Sequence, residues 1–338
     1  MASSDMSSFF ANHPYIQEAI KLEQTHTDRR KFHSSMESVL LKMGQDKEFM
    51  SNVIERNIKD KGWLQFDWSD YNIPFFYVYE TDDFIIKIHL FPAGPLGKNH
   101  YAAHAIHHHN NYILTTNAFF GSGYESMLFE KDVKVDEATM KGNLKVNKHF
   151  HQKEWNPSRI DSWEPHIVFL PEHFSATILI WSPDVKRKTD ALRNSSLLKP
   201  FKKELRHLIY RLGIGDKIGM AREKTYQYYV EGKEVKAIDE ESYFSPSKSA
   251  NGSEQKQYAM QMLFFFLQKS GYGSTELLSS LKTDSDTPAY FQPWLDMYLS
   301  GETIPEVLHR HELNIPKKSF TREDIIAIAS FEEIFPIV

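Results

Sequence analysis

Residues 104–116 read HAIHHHNNYILTT, and histidine is dense in this part of the chain of 338 residues. Of the 16 histidines, five lie between His100 and His109. If the stretch is extended, its side chains alternate between two faces, so His107 and His109 point to one side and His108 to the other. Two imidazoles on one side can chelate a metal ion. A surface turn that only makes hydrogen bonds would carry the same spacing, so both interpretations stay open at this point.

A third candidate ligand is His166, which opens a predicted strand in the sequence WEPHIV. Three neutral imidazoles on one face of an ion leave positions open for a small substrate and for dioxygen. That arrangement suits catalysis better than a closed structural site. We therefore predict a metal site at His107, His109 and His166. His104 is the alternative ligand in place of His107, and His108 is expected at the surface.

The sequence around the histidines consists of short apolar runs broken by turn residues. These runs are rich in aromatic and β-branched side chains and cover residues 75–79, 84–91, 112–116, 126–129, 166–170 and 176–181. A strand pair is also predicted over 226–235, around Glu231-Gly232. Closely spaced short strands with such turns indicate an antiparallel sandwich or barrel.

Helical periodicity marks both ends of the chain. Between about residues 13 and 62, apolar residues recur at three- and four-residue spacing, with breaks near 25–29 and 44–46. Helices are also predicted at 198–212, 255–269, 274–281, 290–300 and 303–311, with an exposed loop at 245–254. The expected fold is α+β, with an N-terminal helical extension (1–62), an antiparallel β-barrel (63–190) and a mostly helical C-terminal region (191–338). The helical additions are expected to cover the mouth of the barrel or to form a homodimer interface.

The amino-acid composition limits which residue types can bind a metal and which partners are expected. The chain has no cysteine, so any metal must be held by His, Asp or Glu. A net charge of −5 gives no broad positive field for a phosphate backbone, so nucleic acid is not expected as a partner. The polar start and the short apolar runs predict neither a signal peptide nor a membrane span, and hence a cytoplasmic protein.

Two motifs resemble those of the cysteine dioxygenase-like cupins. The first is Ile106-His107-His108-His109, followed by Gly121-Ser-Gly-Tyr-Glu125 and Met127-Leu128-Phe129. The second is His166-Ile-Val-Phe, then residues 171–174, then Ala176-Thr-Ile-Leu-Ile-Trp181-Ser182-Pro183. The resemblance covers residues 75–184. It implies a cupin jelly roll in which His107, His109 and His166 bind Fe(II), with O2 as co-substrate. The common cupin signature adds a Glu ligand after the His pair, but residues 110–117 contain no acid, so a three-His site fits better.

The residues with which that family binds and orients its substrate are missing from this chain. Its carboxylate-binding Arg falls near Tyr79, and its Ser-His-Tyr relay falls on Thr177, Leu179 and Trp181. Its cross-linking Cys is absent as well. Cysteine is therefore not the expected substrate. Without an Arg clamp, and with several acids and aromatics nearby, a substrate that carries an amine or guanidinium group is an option.

The expected function is that of a non-heme Fe(II) oxygenase or oxidase acting with O2 on a small polar metabolite, such as an amino-acid or amine derivative. Residues expected to border the metal and act in catalysis are Tyr79, Tyr112, Trp181 and Glu125, with His89, Tyr124 and Trp163 as further candidates around the cavity. One alternative is a Zn, Ni or Mn cupin that acts as an isomerase or hydrolase. Another is a ligand-binding cupin sensor without enzymatic activity.

Overall fold

The fold is known from a computed structural model, which describes residues 9–64, 66, 74–95, 101–152, 156–186, 225–239, 252–308 and 320–331. Helices lie at both ends of this described part, and mostly antiparallel strands lie between them. The expectation of an α+β fold is confirmed. The helix predicted at 198–212 lies outside the described residues, as does most of the loop predicted at 245–254.

The helices begin and end close to the predicted breaks. They are α1 (Pro14–Thr25), α2 (Arg29–Gln45), α3 (Lys47–Lys59), α4 (Lys61–Leu64), α5 (Gly252–Ser270), α6 (Thr275–Thr283), α7 (Gln292–Ser300) and α8 (Arg322–Ile326). Asp46 separates α2 from α3, because its Oδ1 accepts a hydrogen bond from the Phe49 backbone N–H at 2.9 Å and so caps α3. The helix predicted at 303–311 is wrong over 303–307, which is irregular. Pro305 has no N–H to donate within a helix there.

The described strands form three sheets. They are β1 (Phe75–Glu80), β2 (Ile85–Phe91), β3 (Tyr112–Phe120), β4 (Tyr124–Phe129), β5 (Val135–Asp136), β6 (Lys141–Gly142), β7 (Lys145–Gln152), β8 (Ser158–Ile160), β9 (His166–Phe169), β10 (Ser175–Pro183), β11 (Tyr226–Glu231), β12 (Glu234–Asp239) and β13 (Ser330–Phe331). The first sheet has the order β1-β2-β10-β3-β8, the second β13-β7-β4-β9 and the third β11-β12-β6-β5. All pairs are antiparallel except β13 with β7.

The first and second sheets face each other. Leu114 and Leu179 on the first sheet pack in one buried cluster with Leu128 and Phe150 of the second. We call the space between these two faces the interior. Over the described ranges the two sheets remain separate and do not close into one hydrogen-bonded ring, in contrast to the single barrel that was expected.

The outer face of the first sheet is covered by both helical ends of the chain. Ile88 and Ile178 on that face share one core cluster with Met36 of α2 and Phe266 of α5. Helices α1 to α7 therefore join one core on the outside of the first sheet, whereas Ile325 of α8 packs in a separate cluster with Phe129 of the second sheet. None of the helices within the described ranges has the length and apolar character needed to cross a bilayer.

Residues 101–107 run beside β9 as an irregular continuation of the second sheet. Ala102 forms an antiparallel bridge with Phe169, and His107 forms one with His166. The histidine stretch is not itself a regular strand, and the next strand, β3, begins at Tyr112, where the predicted strand begins. The segment pairs at isolated positions and then crosses from the second sheet to the first.

Candidate metal centre

The structure brings the three predicted ligands together. The imidazole centroid of His166 lies 4.3 Å from that of His107 and 4.3 Å from that of His109. The centroids of His107 and His109 are 5.2 Å apart. One nitrogen from each ring lies within 4.8 Å of the others, so the three rings converge on a point where one ion fits.

His107 and His166 are held opposite each other by the backbone. The His107 N–H donates to the His166 carbonyl at 3.0 Å, and the His166 N–H donates back at 2.8 Å. Partners that exchange both hydrogen bonds carry their side chains on the same face of the sheet. Leu128 is the register neighbour of His166 and lies in the interior cluster, so this face is the interior one.

A strained turn brings His109 to the same point. Asn110 follows it with φ 50°, in the left-handed region that non-glycine residues rarely adopt. The Asn110 carbonyl accepts a hydrogen bond at 2.8 Å from the N–H of Trp163, which itself has φ 59°. Backbone strain of this kind persists only where the surroundings enforce it, and it clusters at functional sites. The sequence analysis missed Asn110, although asparagine is the residue that most readily tolerates this conformation.

Hydrogen bonds set the tautomers of two of the histidines. His107 Nδ1 lies 3.0 Å from the Ala105 carbonyl, and His166 Nδ1 lies 3.0 Å from the Glu164 carbonyl. A carbonyl can only accept, so Nδ1 carries the proton and Nε2 keeps its lone pair. Metal-ligating histidines are oriented in this way. His109 Nδ1 is buried and has no hydrogen-bond partner. The donor set therefore fits a metal ion that takes neutral nitrogen ligands.

Burial keeps all three imidazoles uncharged. Desolvation lowers the pKa of His107 to about 4. It lowers the pKa of His109 and His166 well below 6.5, and the neighbouring histidines lower both further. Metal binding requires neutral imidazole, so the site is ready to bind an ion at neutral pH without first losing protons.

Two of the other predicted residues border this centre. The Trp181 ring centroid lies 4.3 Å from that of His109. Tyr112 is half-buried, and its ring centroid lies 6.3 Å from that of Trp181. Trp181 therefore forms part of the wall beside one ligand, and Tyr112 lies behind it.

Glu125 and Tyr79 lie elsewhere. Glu125 is on the outer face of the second sheet, where it pairs with His149 and Arg322. Glu125 and Leu128 are three residues apart on β4, so their side chains point to opposite faces of the sheet, and only Leu128 faces the interior. Tyr79 follows a register shift in β1 and packs on Phe84 with ring centroids 5.5 Å apart, in the helix-facing core.

The further candidates are distributed around the site. The His104 ring centroid lies 5.6 Å from that of His107, just outside the group of three. The His108 ring packs on Trp163 at 5.2 Å, away from the converging nitrogens. Tyr124 is buried between the sheets, and its hydroxyl lies 3.5 Å from Thr116 Oγ1. Burial raises the pKa of Tyr124 to about 12, so it stays protonated.

Comparison with known proteins adds little beyond this geometry. No family model and no curated protein matches the sequence. Among solved structures, the DMSP lyase DddQ from Ruegeria pomeroyi DSS-3 aligns with a TM-score of 0.23 and 12% identity over 34% of this chain and 48% of that chain. A cupin protein from Bacteroides fragilis aligns with a TM-score of 0.21 and 10% identity over 30% of this chain and 68% of that one. KdgF from Halomonas sp. aligns with a TM-score of 0.21 and 15% identity over 35% and 82%.

This chain thus spans about half the length of the first of these proteins. TM-scores near 0.2 carry no argument about family or activity. We therefore base the function on the arrangement of the three histidines.

Proposed function

We propose that this chain is a mononuclear metal enzyme of a divergent cupin type, in which His107, His109 and His166 bind Fe(II) and the substrate is a small polar metabolite oxidised with O2. The convergence of three neutral imidazoles on one point, with His166 buried and the other two partly buried, is the observation that carries the proposal. Two facing antiparallel sheets with the site at their junction support the cupin assignment.

The donor set favours a catalytic role over a structural one. Three neutral nitrogens leave an ion with open positions, because tetrahedral and octahedral ions take four to six ligands. Bound Fe(II) would supply O2 activation and a place for the substrate to coordinate. The chain's own contribution is to hold the three nitrogens through the His107–His166 bridge. Trp181 walls one side of the centre.

A non-oxidative metal enzyme, an isomerase or hydrolase, is the second candidate. The same three imidazoles suit Zn(II), which a set of three histidines binds in hydrolytic sites. In the described ranges no carboxylate joins the group of three histidines, and a purely nitrogen donor set of this kind is compatible with Zn(II) as well as with Fe(II).

The first test is elemental analysis of freshly purified protein, followed by loading with Fe(II) under nitrogen. We expect close to one metal ion per chain. His107→Ala and His166→Ala should each remove it, because two imidazoles hold an ion far more weakly than three. His108→Ala is the matched control, since His108 lies in the same run and packs on Trp163. Full metal retention in the two ligand variants would refute the assignment.

Oxygen consumption separates the two candidates. Fe(II)-loaded protein should consume O2 when a substrate from a library of small polar metabolites is added. If instead the Zn(II)-loaded protein turns over a metabolite under strict anaerobiosis, the non-oxidative function is correct.

A further inference from the structure

A lysine lies on the interior face of the first sheet, one step from the metal centre. Lys87 of β2 is in register with Leu179 of β10, and Leu179 belongs to the interior cluster. Trp181, whose ring contacts His109, lies two residues further along β10 on the same face. Two residues of strand span roughly 7 Å, so the row of Lys87 is about that far from the row of the metal centre.

The Lys87 ammonium has aromatic neighbours but no anionic partner among the residues that the structure describes. Its Nζ lies 4.7 Å from the ring centroid of Phe75 and 4.7 Å from that of Tyr77. Burial lowers the pKa of Lys87, and the nearby Glu80 acts in the opposite direction without forming an ion pair. A half-buried ammonium without a counter-ion is costly, because the protein interior solvates charge poorly.

Two other cations that are largely shielded from solvent in the described ranges have acidic partners. Arg29 is paired with Glu23 at 2.9 Å, and Arg322 is paired with Glu125 at 3.0 Å. In contrast to these two pairs, the Lys87 ammonium pairs with no acid in the described ranges and is therefore open to an anionic ligand.

Further polar side chains without hydrogen-bond partners in the described ranges lie next to Lys87 on the interior faces of the two sheets. His89 and Thr177 are register partners on adjacent strands, and His89 Nε2 and Thr177 Oγ1 are both buried without a hydrogen-bond partner in the described part of the chain. On the facing sheet, Ser126 Oγ is buried and equally without one. Burial lowers the pKa of His89 to about 3, so this ring is neutral. Buried polar groups are nearly always hydrogen-bonded, and three unsatisfied ones beside an unpaired cation indicate a site for a polar ligand.

We propose that Lys87 binds the carboxylate of the small ligand that the metal centre receives, and that His89, Thr177 and Ser126 hydrogen-bond to the same carboxylate from the side away from the metal. The substrate class is then a short carboxylate. One ammonium suits a monoanion, whereas a phosphate dianion calls for several donors. This inference rests on the proposed function, since it places the ligand beside the three-histidine centre.

The test compares wild-type protein with Lys87→Met, Lys87→Arg and Lys148→Met. Lys148 is the matched control, because it is an exposed lysine that lies over the Phe150 ring on the facing sheet. The probes are acetate, propanoate, butanoate and pentanoate, together with their primary amides and n-butylamine. Binding is followed by calorimetry, and the metal content and the melting temperature of each variant are measured in parallel.

Wild-type protein should bind one or more of the carboxylates in preference to the corresponding amide. Lys87→Met should weaken that binding roughly tenfold to hundredfold, as expected for a lost charge-assisted hydrogen bond. Lys87→Arg should restore part of it, and Lys148→Met should leave it unchanged. Lys87→Met should also melt at the same or a higher temperature without ligand, because an apolar side chain replaces an unpaired charge. A purely structural lysine would lower the melting temperature instead.

The possible failures are distinguishable. If Lys87→Met keeps its metal and binds carboxylates as wild-type protein does, Lys87 has no such role and the inference is wrong while the metal centre stands. If n-butylamine binds better than butanoate, and Glu80→Gln abolishes that binding, the ligand is a cation and the inference is overturned. If wild-type protein binds no metal, the proposed function fails, whereas the carboxylate comparison still decides the role of Lys87.

Discussion

At the scale of single residues, the buried histidines divide by what their ring nitrogens contact. The three at the candidate metal centre direct a nitrogen at one another. His33 on α2 is instead fully satisfied, with Nδ1 2.8 Å from Thr115 Oγ1 and Nε2 2.9 Å from Ser182 Oγ. It joins the helical layer to the first sheet. Burial, reinforced by the positive charge of Arg29, lowers the pKa of His33 to about 3.

This depressed pKa predicts acid sensitivity. In the unfolded chain His33 takes up a proton near pH 6.5, whereas in the folded protein it does so only near pH 3. Its stabilising contribution is therefore complete above about pH 6.5 and is lost progressively as the pH falls toward 3, by about 1.4 kcal/mol per pH unit. His33→Gln should flatten the pH dependence of the free energy of unfolding by that slope. Urea titrations at a series of pH values test it, and parallel slopes in both proteins would contradict it.

At the scale of elements, the turn between β3 and β4 fixes how the two sheets connect. Gly121 has φ +84°, and a Cβ at this position would meet the Phe174 carbonyl oxygen at 2.1 Å. Ser175 closes the same corner, since its hydroxyl donates to the Phe120 carbonyl at 2.9 Å and accepts from the Gly123 N–H at 3.1 Å. The turn therefore needs glycine for both its backbone angle and its clearance.

Gly121→Ala should destabilise the protein by about 3 kcal/mol or more, because strain and a backbone clash add. The matched control is Gly232→Ala in the β11–β12 turn. Gly232 also has a positive φ, +62°, but nothing lies within 4 Å of its Cβ position. That variant should lose only about 1 kcal/mol. The measurement is the free energy of unfolding of both variants, and equal losses would show that clearance at Gly121 is unimportant.

At the scale of the whole molecule, an ion pair that is largely shielded from solvent joins helix α8, near the C-terminus, to the second sheet. Arg322 on α8 donates to both oxygens of Glu125 at 3.0 and 3.1 Å, and their side chains are only 18% and 7% exposed. Burial alone would raise the pKa of Glu125. Hydrogen bonds from His149 and Arg322 outweigh it and lower that pKa to about 2. The two residues of this pair are 197 positions apart in the sequence.

Removing both partners of this pair should cost less than the sum of the two single losses. Arg322→Met leaves the buried Glu125 carboxylate without its guanidinium partner, and should cost about 3 kcal/mol of unfolding free energy. The double variant with Glu125→Gln should lose less than the sum of the two single variants. Glu323→Gln, which removes the exposed partner of Arg322, should change stability by less than about 1 kcal/mol. Metal content should be unaffected in all of them, and metal loss would contradict the placement of Glu125 away from the centre.

Several elements followed from local sequence signals. The aromatic and β-branched runs predicted β1, β2, β3, β4, β9 and β10 to within a few residues. Strand β7 was not predicted, because KVNKHFHQ has few of the residues typical of strands, and it is stabilised by pairing with β4. Glu125 was assigned to the cavity because the facing of β4 depends on its register, and a shift of one residue exchanges the two faces.

The sequence by itself determined the antiparallel character of the central region and the identity of the three histidines, because strand periodicity and the H-x-H spacing are local properties. Tertiary structure alone decided how those histidines meet. His166 is 59 and 57 positions from the other two; the His107–His166 bridge pairs it with His107, and the turn at Asn110 brings His109 to the same point. It also decided that, among the described residues, Arg322 has an acidic partner and Lys87 has none, since pairing across sheets depends on which faces pack together.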